Sequence, residues 1–165
     1  MSILLIKEVM RLKNEGYKVL SSFIKFIIIA LLASDVVVMA SLPWTLQWLM
    51  SVFYEGNIAI MYAFYMVILY IFGILMLFIL NELRVIFNSV EKSDPFILRN
   101  VTALKRISKA SMITCIIFLV KTFAVNSLMT MVSLFIFFIA SLFCIVLAEV
   151  FRRAVEYKND HDLTI

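Results

Sequence analysis

One basic stretch interrupts an otherwise greasy chain: Asn81–Ala110, NELRVIFNSVEKSDPFILRNVTALKRISKA, with two long apolar runs before it and two after it. It carries Arg84, Lys92, Arg99, Lys105, Arg106 and Lys109 against Glu82, Glu91 and Asp94. A run of about 20 apolar residues is what an α-helix needs to cross ~30 Å of hydrocarbon. The chain is 64% hydrophobic and only 16% charged over 165 residues, too apolar for a water-soluble core of this size. The expected fold is therefore all-α: a polytopic membrane protein whose four transmembrane helices form one four-helix bundle, at about 19–42, 58–80, 107–125 and 128–148. An amphipathic connector, 81–106, and a tail, 149–165, lie outside the bilayer.

Charge sets the orientation. The N-terminal segment, the connector and the tail hold 4, 6 and 3 of the 15 Lys and Arg, and the two outer turns hold none. Lys/Arg-rich loops stay inside, so both termini and the connector are expected in the cytoplasm of a cell membrane. Basic residues beside apolar runs serve this orientation rather than direct contact with nucleic acid. Residues 1–18 read as an interfacial helix, with Ile3, Ile6 and Met10 between Lys7, Arg11, Lys13 and Lys18. Pro43 is expected to end the first span. Trp44 and Trp48 then share a face suited to the outer headgroup level, and Gly73 admits a close helix approach in the second span. Ser93-Asp94-Pro95 should stop the second helix, with Asp94 capping a new one that begins at Pro95.

Charges within spans tend to be paired or functional. Asp35 and Lys121 lie at similar depth below the outer surface, which predicts an intramembrane ion pair that locks the bundle. Lys25 is expected to snorkel toward the inner edge. Cys115 and Cys144 lack metal-ligand spacing, and the one histidine, His161, lies in the polar tail. Walker, nucleophile-elbow and HExxH patterns are absent, so no cofactor and no enzymatic activity is expected.

Ile86-Phe87, Asp94-Pro95-Phe96, Asn100 followed by Leu104, Arg106 and Ile107, and the closing Asp162-Leu163-Thr164-Ile165 resemble a family of small bacterial four-span membrane proteins known only as a domain of unknown function. The resemblance covers nearly the whole chain. Two positions depart from it: Ser108 stands where the family usually has Gly, and the family's Glu before Asn-Asp is displaced here. Genes of that family are commonly paired with a very short helix-turn-helix regulator of the Cro/cI type. The resemblance thus implies a membrane partner for a transcription factor, gripped through Pro95, Phe96, Arg99, Asn100 and Arg106 of the connector and Asp162, Leu163, Thr164 and Ile165 of the tail. In an extended tail Leu163 and Ile165 would point one way, suited to a partner's groove or edge strand. The rival reading is a small permease or an accessory transporter subunit, as a homo-oligomer, with a polar path through Asp35, Ser111, Thr114, Lys121 and Asn126.

Overall fold

A computed structural model describes residues 2–53, 58–91, 95–124 and 127–162, with side chains over 22–52, 61–91, 95–123 and 127–160. Of the expected outer turns, 43–57 and 126–127, residues 54–57 and 126 lie outside the described residues, as do the Asp94 cap, the Leu163-Thr164-Ile165 terminus and the side chains of 2–21 and of Asp162. Four helices account for the rest: α1 (Ser2–Phe53), α2 (Ile58–Glu91), α3 (Leu98–Ala124) and α4 (Leu128–Asp162). At 1.5 Å per residue the 34 residues of α2 and 35 of α4 reach about 50 Å, well beyond the hydrocarbon thickness. Their polar ends project with the start of α3 at the connector end.

Among the described residues three helices are long and apolar enough to cross a membrane: Ser22–Val52 of α1, Met61–Glu91 of α2 and Leu128–Asp160 of α4. Helix α3 is not among them. Only eleven uncharged residues separate Lys109 from Lys121, about 16 Å of helix. Its position accounts for its polarity. Helix backbones pack in chain order, α1 on α2, α2 on α3 and α3 on α4, so α3 lies between two partners. Ser108, Ser111 and Thr114 are buried there. Among the described residues the α1 backbone packs on neither α3 nor α4, so the backbones pair as a serial layer where a four-helix bundle was expected. Helices α2 and α4 still meet through long side chains. Phe72, Phe118 and Phe137 form an aromatic triangle across α2, α3 and α4, with ring centroids 5.4–5.9 Å apart.

Helix α1 runs unbroken through Pro43, contrary to the expected stop. Proline removes one backbone donor, but hydroxyls and neighbouring helices satisfy freed groups in membrane helices. Around Pro43, Ser41 Oγ donates to the Val38 carbonyl at 2.9 Å, Thr45 Oγ1 to the Ser41 carbonyl at 3.0 Å, and Tyr62 of α2 to the Pro43 carbonyl at 3.4 Å, bonds that brace the segment without replacing the donor that Pro43 denies to the Met39 carbonyl. Trp44 and Trp48 stay exposed on one face, as their spacing predicts, but on a helix flank alongside α2 rather than in a separate interfacial helix.

Gly73 sets the close approach of α1 and α2. A Cβ at this position would stand 2.8 Å from both Cγ and Sδ of Met39. The Sδ end can swing aside, whereas Cγ is tied to the α1 backbone. Gly73→Leu should therefore destabilise the α1–α2 pair by about 1–3 kcal/mol, the usual range for overpacking. Gly73→Ala should lose less. Thermal unfolding of the purified variants in detergent checks the order.

Candidate functional site at the connector end

The expected Asp35–Lys121 pair does not form. The two residues sit on helices that do not pack together. Lys121 Nζ lies over the Tyr65 ring at 5.3 Å and the Phe118 ring at 6.0 Å, a cation–π seat on α2 and α3. Asp35 Oδ2 is buried with no hydrogen-bond partner. The order of packing separates the two charges, since α1 packs on α2 and α3 lies on the far side of that pair.

Polar organisation concentrates where α2 ends and α3 begins. Pro95, Phe96 and Ile97 form the turn, and α3 starts at Leu98 rather than at Pro95. The Ile97 carbonyl accepts the first helical bond from the Asn100 amide at 3.0 Å. The Asn100 side chain is fully buried. Its Nδ2 donates to the Pro95 carbonyl at 2.7 Å, and its Oδ1 accepts from Ser89 Oγ at 3.0 Å. One amide thus ties the turn to itself and to the end of α2. A carboxamide suits this position because it donates and accepts at once.

A second tie lies toward the membrane. Arg106 Nη1 donates to Glu82 Oε1 at 3.0 Å; the carboxylate side chain is 8% exposed and the guanidinium 58%. Arg106 is therefore partly committed to α2. A third tie joins α3 to α4. Ser108 Oγ donates to the Ser141 carbonyl and Ser141 Oγ to the Ser108 carbonyl, both at 2.9 Å. This reciprocal clasp requires close backbones, which explains a small residue at 108. Ser141→Leu should force the helices apart and destabilise by about 1–3 kcal/mol, while Ser108→Gly should fold. Unfolding curves of the two variants give the comparison.

Below the clasp, Val101 and Leu104 of α3 pack with Ala148 and Val155 of α4, flanked by Ile86 and Phe151. Phe96 leaves the turn to meet Phe151, ring centroids 5.3 Å apart. Arg152 bridges Glu149 and Glu156 along α4 at 2.6 and 2.5 Å, and Arg153 adds a 3.3 Å contact to Glu149. These i,i+3 and i,i+4 pairs keep the tail helical to Asp162.

The residues expected to touch a partner thus divide. Phe96 and Arg99 are exposed; Pro95 is half-buried; Asn100 is enclosed and acts on the turn, not on a partner. Asp162 closes α4, with the following three residues outside the described set. Ser89, Glu82, Ser141 and Phe151 were not singled out from sequence. For Ser89 and Glu82 a signal existed: polar residues inside the helical stripe of Leu83, Ile86 and Val90. Among the described residues no group of His, Cys, Asp and Glu is placed to hold a metal ion.

Long apolar helices, a polar central helix sheltered between two neighbours, and a braced polar end define an all-helical protein of the multi-pass membrane class. The chain belongs to the DUF2975 family, described as protein of unknown function, which matches residues 27–165. No curated protein matches the chain. No solved structure matches it either.

Proposed function

We propose that this is a regulatory membrane protein that holds a small cytoplasmic helix-turn-helix regulator at its connector end. The observation that carries the reading is the bracing of that end. Asn100, the Glu82–Arg106 pair and the Phe96–Phe151 contact fix a surface on which Arg99, Lys105 and Lys109 stand exposed beside Leu98. A preorganised surface binds with less ordering penalty, and its charges orient a partner. The helix-turn-helix identity of that partner rests on the family resemblance. In this reading α3 is the fourth span, escorted by α2 and α4, and both termini and the connector face the cytoplasm of a bacterial cell membrane.

The transport alternative draws less support. Of the α3 side chains that would line a path, Thr114 is spent locally on the Ala110 carbonyl at 3.0 Å, and Lys121 is seated over the Tyr65 ring. Two experiments test the proposal. The tagged chain should co-purify a small helix-turn-helix protein from its native cell, and Arg99→Glu with Lys105→Glu should abolish the capture. Failure of capture, together with solute uptake by the purified protein in liposomes, would favour transport. In a variant lacking Cys115 and Cys144, a thiol introduced at 92 should label only from the cytoplasm and one at 56 only from outside.

A further inference from the structure

A cavity of about 510 Å3 opens where α1, the end of α2, the turn at Ile97 and the first residues of α3 converge. Lys25, Asn88, Glu91 and Arg99 line it, with Val85 and Ile97 as apolar wall. Lys25 Nζ reaches Glu91 at 3.4 Å, with both side chains 42% exposed. Among the described residues, neither Asn88 nor Arg99 has a hydrogen-bond or ion-pair partner. The site therefore holds an ammonium already half-satisfied and, among the described residues, a guanidinium and an amide that no side chain engages. A planar guanidinium and an ammonium suit a phosphate group.

Its level in the fold selects the source of that phosphate. Lys25 lies near the start of the apolar part of α1, and Glu91 is the last residue of α2. Phe23 and Phe26 flank Lys25 and are exposed at 62% and 70%. Apolar surface of this kind belongs among acyl chains, so the cavity stands at the boundary between lipid tails and water. Basic pockets between membrane helices at that boundary bind anionic headgroups.

We propose that this cavity is a headgroup site for one anionic phospholipid, its phosphate held by Arg99, Lys25 and Asn88. Glu91 holds Lys25 when the site is empty and competes with the phosphate. The site reads phosphate charge and depth together, which a free phosphate in water does not satisfy.

The test uses the full chain purified in neutral detergent, with bound lipid counted by native mass spectrometry. Phosphatidylglycerol should be retained at one per chain and phosphatidylcholine should not. Lys25→Met with Arg99→Gln should weaken retention at least tenfold, and Glu91→Gln should strengthen it. Lys105→Gln with Lys109→Gln, equal in charge lost but outside the cavity, should leave it unchanged. Equal weakening by both double variants would reduce the effect to a diffuse basic surface and overturn the site. Displacement of the lipid by millimolar inorganic phosphate would overturn the lipid as its occupant. The gain from Glu91→Gln cannot come from misfolding, so its absence also counts against the site.

Discussion

Asn100→Ala should destabilise the connector end by about 2–4 kcal/mol, because a buried group deprived of its partner loses its hydrogen bond and keeps its desolvation penalty. Two partners are deprived. The Pro95 carbonyl loses its donor, and Ser89 keeps only its 3.2 Å bond to the Val85 carbonyl. Asn100→Asp should be no milder, since an ionised carboxylate cannot donate to Pro95. Ser89→Ala should lose about 1 kcal/mol, as it leaves the Pro95 bond intact. The measurement is unfolding in detergent together with hydrogen exchange over 95–101. Protection of those amides should fall first in Asn100→Ala. Wild-type protection there would show that the turn holds itself. Capture of the proposed regulator should fall with it, although the Asn100 side chain is enclosed, because the exposed side chains of Phe96 and Arg99 are positioned by this turn.

The second large effect has the opposite sign. Asp35→Leu should stabilise the protein by about 1–3 kcal/mol, since Oδ2 is buried without a partner and a leucine has no polar atom to desolvate. Lys121→Met should lose about 0.5–1 kcal/mol from its aromatic seat. The two changes should add, because distant residues without shared partners combine within about 0.5 kcal/mol. A measured coupling above about 1 kcal/mol would show that the charges meet after all. Should Asp35→Leu gain stability and lose capture of the proposed regulator, the carboxylate is retained for function at the expense of stability.

What could be read from the residues, and what could not, divides along the range of the interactions. Helices α2 and α4 were legible because long uncharged runs admit one solution in lipid. The extension of α2 past Leu80 was legible from Leu83, Ile86 and Val90. Pro43 misled, because losing one backbone bond does not end a long apolar helix in a membrane, and Tyr62 of α2 and the hydroxyls of Ser41 and Thr45 brace the segment around it. Lys121 and Asp35 misled for another reason. Depth along a helix follows from counting residues, but lateral neighbours follow from packing order, which no periodicity encodes. The connector's importance was visible in its charge, whereas its fixed shape depends on Ser89 meeting Asn100 across eleven residues. Neither residue announces that meeting alone.

The serial layer carries a consequence for biogenesis. Each helix finds its backbone partner in the one synthesised just before it, so assembly can keep pace with the ribosome and needs no late return of the last helix to the first. Truncation after α2 should leave an inserted hairpin still held at Met39 and Gly73.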